Sequence, residues 1–409
     1  MALNQALSGI NAAQSDLNVI ANNIANAGTV GFKGSTAQFA DIFAVTGLNL
    51  SATAIGSGAE LTKVAQQFTQ GDIETTSNSL DLAISGDGFF TINNGSGPQY
   101  TRDGAFHQDP NGTVVTADGS NLQVYPPNGA GGFDTSTLTN LQLNTAQSSA
   151  TATSTITMSA NLPAGAALPA DTPFDPNDPQ SFTNATPLTI FDSQGGSHQA
   201  TVYYVKTGNN TWNANLFVDG QSAGSQPVTF NSSGAMATPA GGNLVFTPPQ
   251  PTNGATFPTT MTVNLTNTTQ FGTAFSAGPT TQNGFQAGTL SNVDIGPDGV
   301  VTAFYSNFQS SQIGQVAMAN FTNPQGLSQL GNTTWAATGA SGTAIMGTAG
   351  TGTFESTDIQ SGALETSNTS DTTAQLVNMI QAQQDYEANS QMLSTSDSLA
   401  QTLIQAVDH

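Results

Sequence analysis

Few residues of this 409-residue chain have both the type and the spacing that catalysis or metal binding requires. The three histidines, His107, His198 and His409, lie far apart, and none has a second His or a Cys at ligand spacing. The acidic run 175–178 resembles a fragment of a calcium loop, but it lacks the Gly and the distal Glu of that motif, so we interpret it as a turn. Because the chain has no cysteine, disulfides and thiol chemistry are excluded.

Phosphate-binding and nucleophile motifs are also missing from the sequence. The glycine pairs at 95–97 and 350–352 do not extend to G-x-G-x-x-G, no Lys stands in a P-loop, and no G-x-S-x-G elbow occurs. Acidic pairs for glycoside hydrolysis need no local motif and stay open. We therefore expect a protein that is not an enzyme, with no catalytic residue, no cofactor and no metal.

The charge balance limits the partners. The chain carries 26 acidic residues against 4 basic ones, for a net charge of −22, and the basic residues are Lys33, Lys63, Arg102 and Lys206. Nucleic-acid binding needs clustered Lys and Arg, and anionic membranes attract the same residues, so both partners are disfavoured. The first basic residue is Lys33, so the N-terminus lacks the basic region of a secretory signal. No apolar run reaches the length of a membrane span.

Both ends of the chain predict helices. Residues 2–27 contain no Pro, and their apolar residues follow a heptad pattern that we expect Gly28 to end. Residues 372–407 contain neither Gly nor Pro, and Asp371 or Thr372 is the predicted N-cap. We interpret the apolar residues of both helices as assembly residues, and they are Leu3, Leu7, Ile10, Leu17, Ile24, Leu376, Ile380, Tyr386, Leu393, Leu403 and Ile404. Either helix alone is also typical of an ordinary amphipathic surface helix.

The middle of the chain predicts short antiparallel strands separated by Gly, Asn, Asp and Pro. Residues 145–185 and 278–288 break this pattern, so we expect an inserted domain with hinges at Thr145, Ala146, Gly284 and Phe285. The predicted fold is multidomain α+β, with terminal α-helices in a coiled-coil-like inner domain and two mainly antiparallel all-β domains. The expected domains are an inner one (1–70 and 359–409), a middle one (71–144 and 285–358) and an outer one (145–284). Residues 28–70 are expected to be mostly extended.

An ordered set of motifs closely resembles the signatures of flagellar rod and hook proteins. In the N-terminal part the matching residues are 6–13, Leu17, 22–26 and 29–33. In the first β segments they are residues 70–71, 81–84, 86–90, 100–104 and 106. In the C-terminal part they are residues 314–315, 319–321, 362–365, 367–368, 383 and 386–389. The segments 189–192, 194–195 and 202–206 look like the outer domain of hook proteins. Because distal rod proteins lack so long an insert, the resemblance favours a hook subunit.

The resemblance implies a helical homopolymer, a curved flexible tube that acts as a universal joint and transmits torque from rod to filament. It implies contacts with the distal rod protein, the hook cap protein, the hook–filament junction protein and the flagellar export apparatus. It also implies an extracellular location in the hook, reached without a cleaved signal peptide and without membrane insertion. The family-motif residues it singles out are Asn22, Asn23, Asn26, Gly31, Phe32, Gly88, Phe89 and Phe90.

Two alternatives stay open at this point, a distal rod subunit and a secreted β-rich adhesin or hydrolase. Apolar stripes at both ends also suggest helices that are largely disordered in the free subunit and fold on assembly. Repulsion between subunits of net charge −22 predicts that added salt or mild acid favours assembly.

Overall fold

The structure is a computed structural model that describes residues 2–42, 56–143 and 148–407. Two long helices enclose the β-rich middle of the sequence, α1 (Ala2–Ala25) and α2 (Thr372–Val407). Gly9 lies against Asn389, and the Thr369 hydroxyl donates to the Asn23 carbonyl, so the two helices run antiparallel. Among the described residues, no helix combines the length and the hydropathy needed to cross a membrane.

The helix boundaries follow from local chemistry. Asp371 caps α2, since its carboxylate accepts the backbone N–H groups of Thr373 and Ala374 at 3.1 and 3.2 Å. The predicted end of α1 at Gly28 is wrong: the helix ends at Ala25. The left-handed conformation expected of a terminating glycine occurs three residues after Gly28, at Gly31, whose φ is 66°.

The strands between the helices are short, as the frequent turn residues dictate. In chain order they are β1 (Ser35–Asp41), β2 (Ala59–Gln66), β3 (Ile73–Thr75), β4 (Leu82–Ser85), β5 (Phe89–Asn93), β6 (Pro98–Thr101), β7 (His107–Gln108), β8 (Val114–Val115), β9 (Asn121–Tyr125), β10 (Thr139–Asn140), β11 (Thr155–Asn161), β12 (Asn184–Phe191), β13 (Ser197–Gly208), β14 (Thr211–Val218), β15 (Gln221–Phe230), β16 (Met236–Thr238), β17 (Asn243–Phe246), β18 (Met261–Asn264), β19 (Ser276–Gln282), β20 (Leu290–Ile295), β21 (Val300–Tyr305), β22 (Ser310–Val316), β23 (Met318–Asn320), β24 (Ser328–Gly331), β25 (Thr334–Ala336), β26 (Ile345–Gly347), β27 (Asp358–Ser361) and β28 (Ala363–Glu365).

Contacts divide the chain into two compact units. The first comprises residues 1–144, 292–303 and 310–409, and the second comprises residues 145–291 and 304–309. The division into three domains stays a prediction. Gly284 and Phe285, predicted as a hinge, lie inside the second unit, where Phe285 and Thr151 exchange two backbone hydrogen bonds of 2.9 and 3.0 Å. This pairing ties residue 285 into the unit. Thr145 and Ala146 fall outside the described residues.

The first unit contains both helices and a sheet in the order β20-β21-β22-β9-β5-β6-β25-β24, with β1–β2, β27–β4 and β28–β3 as separate pairs. Its aromatic core includes Phe89, Tyr100, Phe321 and Trp335, whose rings meet mostly edge to face. The β1–β2 pair shows that the described parts of residues 28–70 are largely extended, as expected.

The second unit packs two sheets on one core. One sheet has the order β12-β13-β14-β15-β16, and the other has the order β17-β18-β11-β19. Along β13 buried and half-exposed residues alternate, so one face contributes to a core that includes Tyr204, Trp212 and Met261. The pairing of β11 with β18 is parallel, whereas the neighbouring pairs are antiparallel. The predicted fold class, terminal helices with mainly antiparallel β structure between them, is confirmed.

Candidate assembly site

The seam between α1 and α2 includes a close approach at Gly9. On α1 the buried residues Ala6, Ala13 and Ile20 repeat every seven positions. Gly9 lies so close to Asn389 of α2 that an added Cβ would stand 2.4 Å from the Asn389 Oδ1 atom. Small residues allow two helices to approach closely, which explains why this face forms the seam.

The predicted apolar stripe of α1 lies mainly outside this seam. Leu3 and Leu7 are 43% and 47% exposed. Ile10, Leu17 and Ile24 are partly exposed. The role of these residues in assembly stays a prediction. Within the part of the chain that the structure describes, α1 therefore keeps a partly exposed apolar face.

The apolar residues of α2 are similarly uncovered. Leu376 and Ile380 are 45% and 52% exposed, Tyr386 is also exposed, and Leu393 is half-buried. Among the described side chains of α2, Ala382 alone is buried. The side chains of Leu403 and Ile404 lie outside the described part of the structure. Each helix therefore carries partly exposed apolar side chains among the described residues.

The asparagines near the end of α1 have different surroundings. Asn23 is buried, and its side chain exchanges two hydrogen bonds with the backbone of Ser35, at 2.8 and 2.9 Å. The Asn26 amide donates to the Asn22 carbonyl within the helix end, and Asn22 is exposed. Asn23 therefore fixes β1 to α1, whereas Asn26 stabilises the helix terminus.

A tight turn follows at Gly31. The φ of 66° favours glycine, and an added Cβ would lie 2.5 Å from the backbone nitrogen of Asp103. The Gly31 N–H donates to the backbone carbonyl of Glu365 at 2.8 Å, and the neighbouring Phe32 ring is buried. The turn therefore joins the end of α1 to the strand that precedes α2.

Beneath this turn lies a buried ion cluster, here called the Glu365 cluster (Lys33, Arg102 and Glu365). Lys33 Nζ donates to Glu365 Oε1 at 2.6 Å, and Arg102 donates to Glu365 Oε2 at 3.1 Å. The three side chains are at most 4% exposed. Burial lowers the pKa of Lys33 below its ordinary value, and the attraction of Glu365 opposes this only in part.

The sequence did not reveal this cluster. Lys33, Arg102 and Glu365 all stand in the motif segments that carry the family resemblance, but Lys33 and Glu365 are 332 positions apart. The one available signal was the scarcity of basic residues, since two of the four are used on a single carboxylate.

The remaining family-motif residues, Gly88, Phe89 and Phe90, are structural. Gly88 has a φ of 122° and lies against the ring of Phe354, so a side chain there would collide with it. Phe89 packs against Phe68 and Trp335, and Phe90 packs against Phe106. These residues hold together the β core that carries the helices.

Two further polar features are a cavity in the first unit and a histidine between two carboxylates in the second. A cavity of about 760 Å³ is lined by Asn22, Asn26, Asp103 and Asp118 among others. Burial raises the pKa of Asp103, and the nearby Asp118 adds to that effect. Within the described residues, no three His, Cys, Asp or Glu side chains are grouped closely enough to hold a metal ion.

In the second unit, His198 lies between two carboxylates. Its Nε2 is 3.0 Å from Asp192 Oδ2, and its Nδ1 bonds to Asp219 Oδ2. Burial lowers the pKa of His198, but the hydrogen bonds to Asp219 and Asp192 outweigh burial and raise the pKa above its ordinary 6.5. Burial favours protonation of Asp192, but the bonds from His198 and from two backbone N–H groups lower its pKa. Asp192 also accepts the backbone N–H groups of Gln194 and Gly196, and Asp219 accepts that of Gln199, so His198 links two turns.

Four family models match successive parts of the chain. They are the flagella basal body rod protein (residues 3–33), the flagellar hook protein FlgE/F/G D1 domain (83–162), the flagellar basal body protein FlaE D2 domain (161–285) and the flagellar basal body rod FlgEFG protein C-terminal domain (360–406).

Whole-chain comparisons point the same way. The chain is 39% identical to the flagellar hook protein FlgE of Escherichia coli strain K12 and 38% identical to that of Salmonella typhimurium, and each match covers 99% of both chains. The fold is similar to the crystal structure of Helicobacter pylori flagellar hook protein FlgE2, with a TM-score of 0.51 over 72% of this chain and 100% of that one, at 13% identity. With its two terminal helices, its β-rich middle and relatives that match it from end to end, the chain belongs to the family of flagellar hook proteins.

Proposed function

We propose that this structural subunit of the flagellar hook polymerises through the exposed apolar faces of α1 and α2. The observation that carries the proposal is the contrast between the two faces of each helix. The buried side chains include the small residues Ala6 and Ala13 on α1 and Ala382 on α2, whereas Leu7, Leu376 and other large side chains stay exposed. Burying such side chains stabilises a contact by about 1.5–3 kcal/mol each, so copies of the chain gain by covering them.

The polymer is proposed to be a curved flexible tube that serves as a universal joint between rod and filament. Polar contacts rich in Asn, Gln, Ser and Thr suit this role, because their hydrogen bonds can be exchanged with water at small net cost. The inner (1–70 and 359–409), middle (71–144 and 285–358) and outer (145–284) domains are part of the same proposal.

The partners and the export route are proposals that follow from family membership. They are further copies of the chain, the distal rod protein, the hook cap protein, the hook–filament junction protein and the export apparatus, with export proceeding without a cleaved signal peptide. The distal-rod alternative is not favoured, since relatives that cover 99% of the chain are hook proteins.

The test is a double substitution on the exposed face of α2, L376S with I380S. We expect the concentration needed for polymerisation to rise at least tenfold, because two partly exposed side chains lose about 1.4 kcal/mol or more of contact energy. The thermal unfolding of the free subunit should stay unchanged. The matched control is V245S, which alters a side chain in the second unit that is 50% exposed.

Electron microscopy of the polymer gives the shape. Short curved tubes support the hook function, whereas straight stiff rods would support the rod alternative. Unimpaired polymerisation of the double variant would refute the role of the α2 face.

A further inference from the structure

We propose that Glu365 is the positioning residue that sets the direction in which both terminal helices leave the β structure of the first unit. The inference rests on the proposed role of the helices in assembly and adds the device that orients them. Three segments that are distant in sequence, at residues 31–33, 71 and 102, meet at this one residue.

The side chain of Glu365 connects the β structure to the segment that follows α1. Its Oε1 atom accepts hydrogen bonds from Lys33 Nζ at 2.6 Å and from the Gly71 N–H at 2.8 Å. Its Oε2 atom accepts from Arg102, whose guanidinium also donates to the carbonyls of Gly86 and Ile84 at 2.6 and 3.4 Å. Arg102 follows β6, so the carboxylate bridges α1 and the sheet.

The residues around Glu365 extend the same connection to α2. Glu365 ends β28, and α2 begins at Thr372. Between them, Asn368 Oδ1 accepts the Gly34 N–H at 2.8 Å, and the Thr369 hydroxyl donates to the Asn23 carbonyl at 3.1 Å. The segment that follows α1 and the segment that precedes α2 are therefore both held close to the Glu365 carboxylate.

Charge makes this arrangement depend on the carboxylate. Two buried cations face one buried anion, and their remaining acceptors are backbone carbonyls such as Thr69 O, 2.8 Å from Lys33 Nζ. Removing one partner from a buried ion group leaves an uncompensated charge, which the structure relieves by moving that charge towards water. Without the Glu365 carboxylate, Lys33 and Arg102 repel each other, and the segment that follows α1 shifts relative to the sheet.

The absence of cysteine provides a direct assay, because two introduced cysteines can carry the only spin labels. We choose N18C on α1 and S96C on the turn after β5, since both positions are exposed and lie in the first unit. Labelled subunits are polymerised with a tenfold excess of unlabelled wild-type subunits. Pulsed electron paramagnetic resonance then gives the distribution of distances between the labels.

In the wild-type background and in the control E355Q, which removes an exposed acid of the same unit, we expect one narrow distance distribution. In E365Q we expect the width to at least double, or the subunit to be excluded from the polymer. K33M combined with E365Q removes one cation together with the carboxylate. We expect this double variant to restore incorporation and to reverse at least half of the increase in the width of the distance distribution. A purely structural role would lower the melting temperature but leave the distances of incorporated E365Q unchanged.

The double variant decides the outcome. If incorporated E365Q subunits keep the wild-type distribution, or if the double variant is no better than E365Q alone, the positioning role is refuted. A failure of the proposed function shows itself separately, as unlabelled wild-type protein that forms no polymer.

Discussion

His198 is expected to make the stability of the second unit fall as the pH rises above about 6.5, its ordinary pKa. A protonated imidazole donates from both ring nitrogens, here to Asp192 and Asp219, whereas a neutral one keeps a single N–H. Because the folded-state pKa is raised above 6.5, the stabilisation is fully present below that pH and is lost as the pH passes the folded-state pKa. The lowered pKa of Asp192 acts only in the acid range, outside this window.

The magnitude follows from the bond that is lost. A hydrogen bond to a charged group contributes about 1.5–3 kcal/mol. Asp219 is 52% exposed, whereas Asp192 is fully buried, so the bond to Asp219 is the weaker and is the one expected to break, at about 1.5 kcal/mol. For a unit of this size, such a loss lowers the melting temperature by about 3–6 °C.

The assay is thermal unfolding of the full chain at several pH values, followed by the fluorescence of Trp212 in the core of the second unit. A W335F background removes the emission of the first unit's tryptophan, and calorimetry of the unmodified chain checks that background. H198N should abolish the pH dependence, whereas H107N, at an exposed position, should retain it. Equal pH dependence in wild type and H198N would refute the reasoning.

Three further predictions concern the first unit and the assembly. Digestion of the free subunit by a protease of broad specificity should remove both ends and leave a core near residues 71–360; ends that resist as long as the core would contradict folding on assembly. Raising the salt from low to physiological strength should lower the critical concentration for polymerisation, because it screens a net charge of −22, and an unchanged value would contradict this. G31A should raise the critical concentration for polymerisation about 30-fold, because left-handed strain and a clash with Asp103 cost about 2 kcal/mol in the assembled subunit, whereas G28A, with nothing within 4 Å, should leave it nearly unchanged; equal effects would show that the turn is not constrained.

The sequence predicted the helices because periodicity and the absence of Gly and Pro are local properties. It predicted α2 over 372–407 with the bounds that the structure has, and Asp371 as a candidate cap. It did not predict which face of α1 meets α2. The leucine stripe and the alanine stripe both follow helical spacing, and the choice depends on how closely the partner approaches, as at Gly9.

The sequence analysis did not predict the two polar clusters, and the reason is different. Asp192 follows β12 and is a diagonal neighbour of His198, because Ile190 pairs with His198 in the β12–β13 hairpin, so hairpin register could have brought them together. Asp219 joins them only through the next strand pairing, in which Ala200 meets Val218. The Glu365 cluster requires the two ends of the chain to meet, which no local pattern encodes.

The burial of Lys33, Arg102 and Lys206 leaves Lys63 as the one exposed side chain among the four basic residues. Trypsin-like proteases cleave after Lys and Arg, so the folded subunit offers them a single accessible site, and the 203 residues after Lys206 contain none. The same feature makes Lys63 a natural point for attaching one amine-reactive dye to a subunit's side chains without changing the sequence.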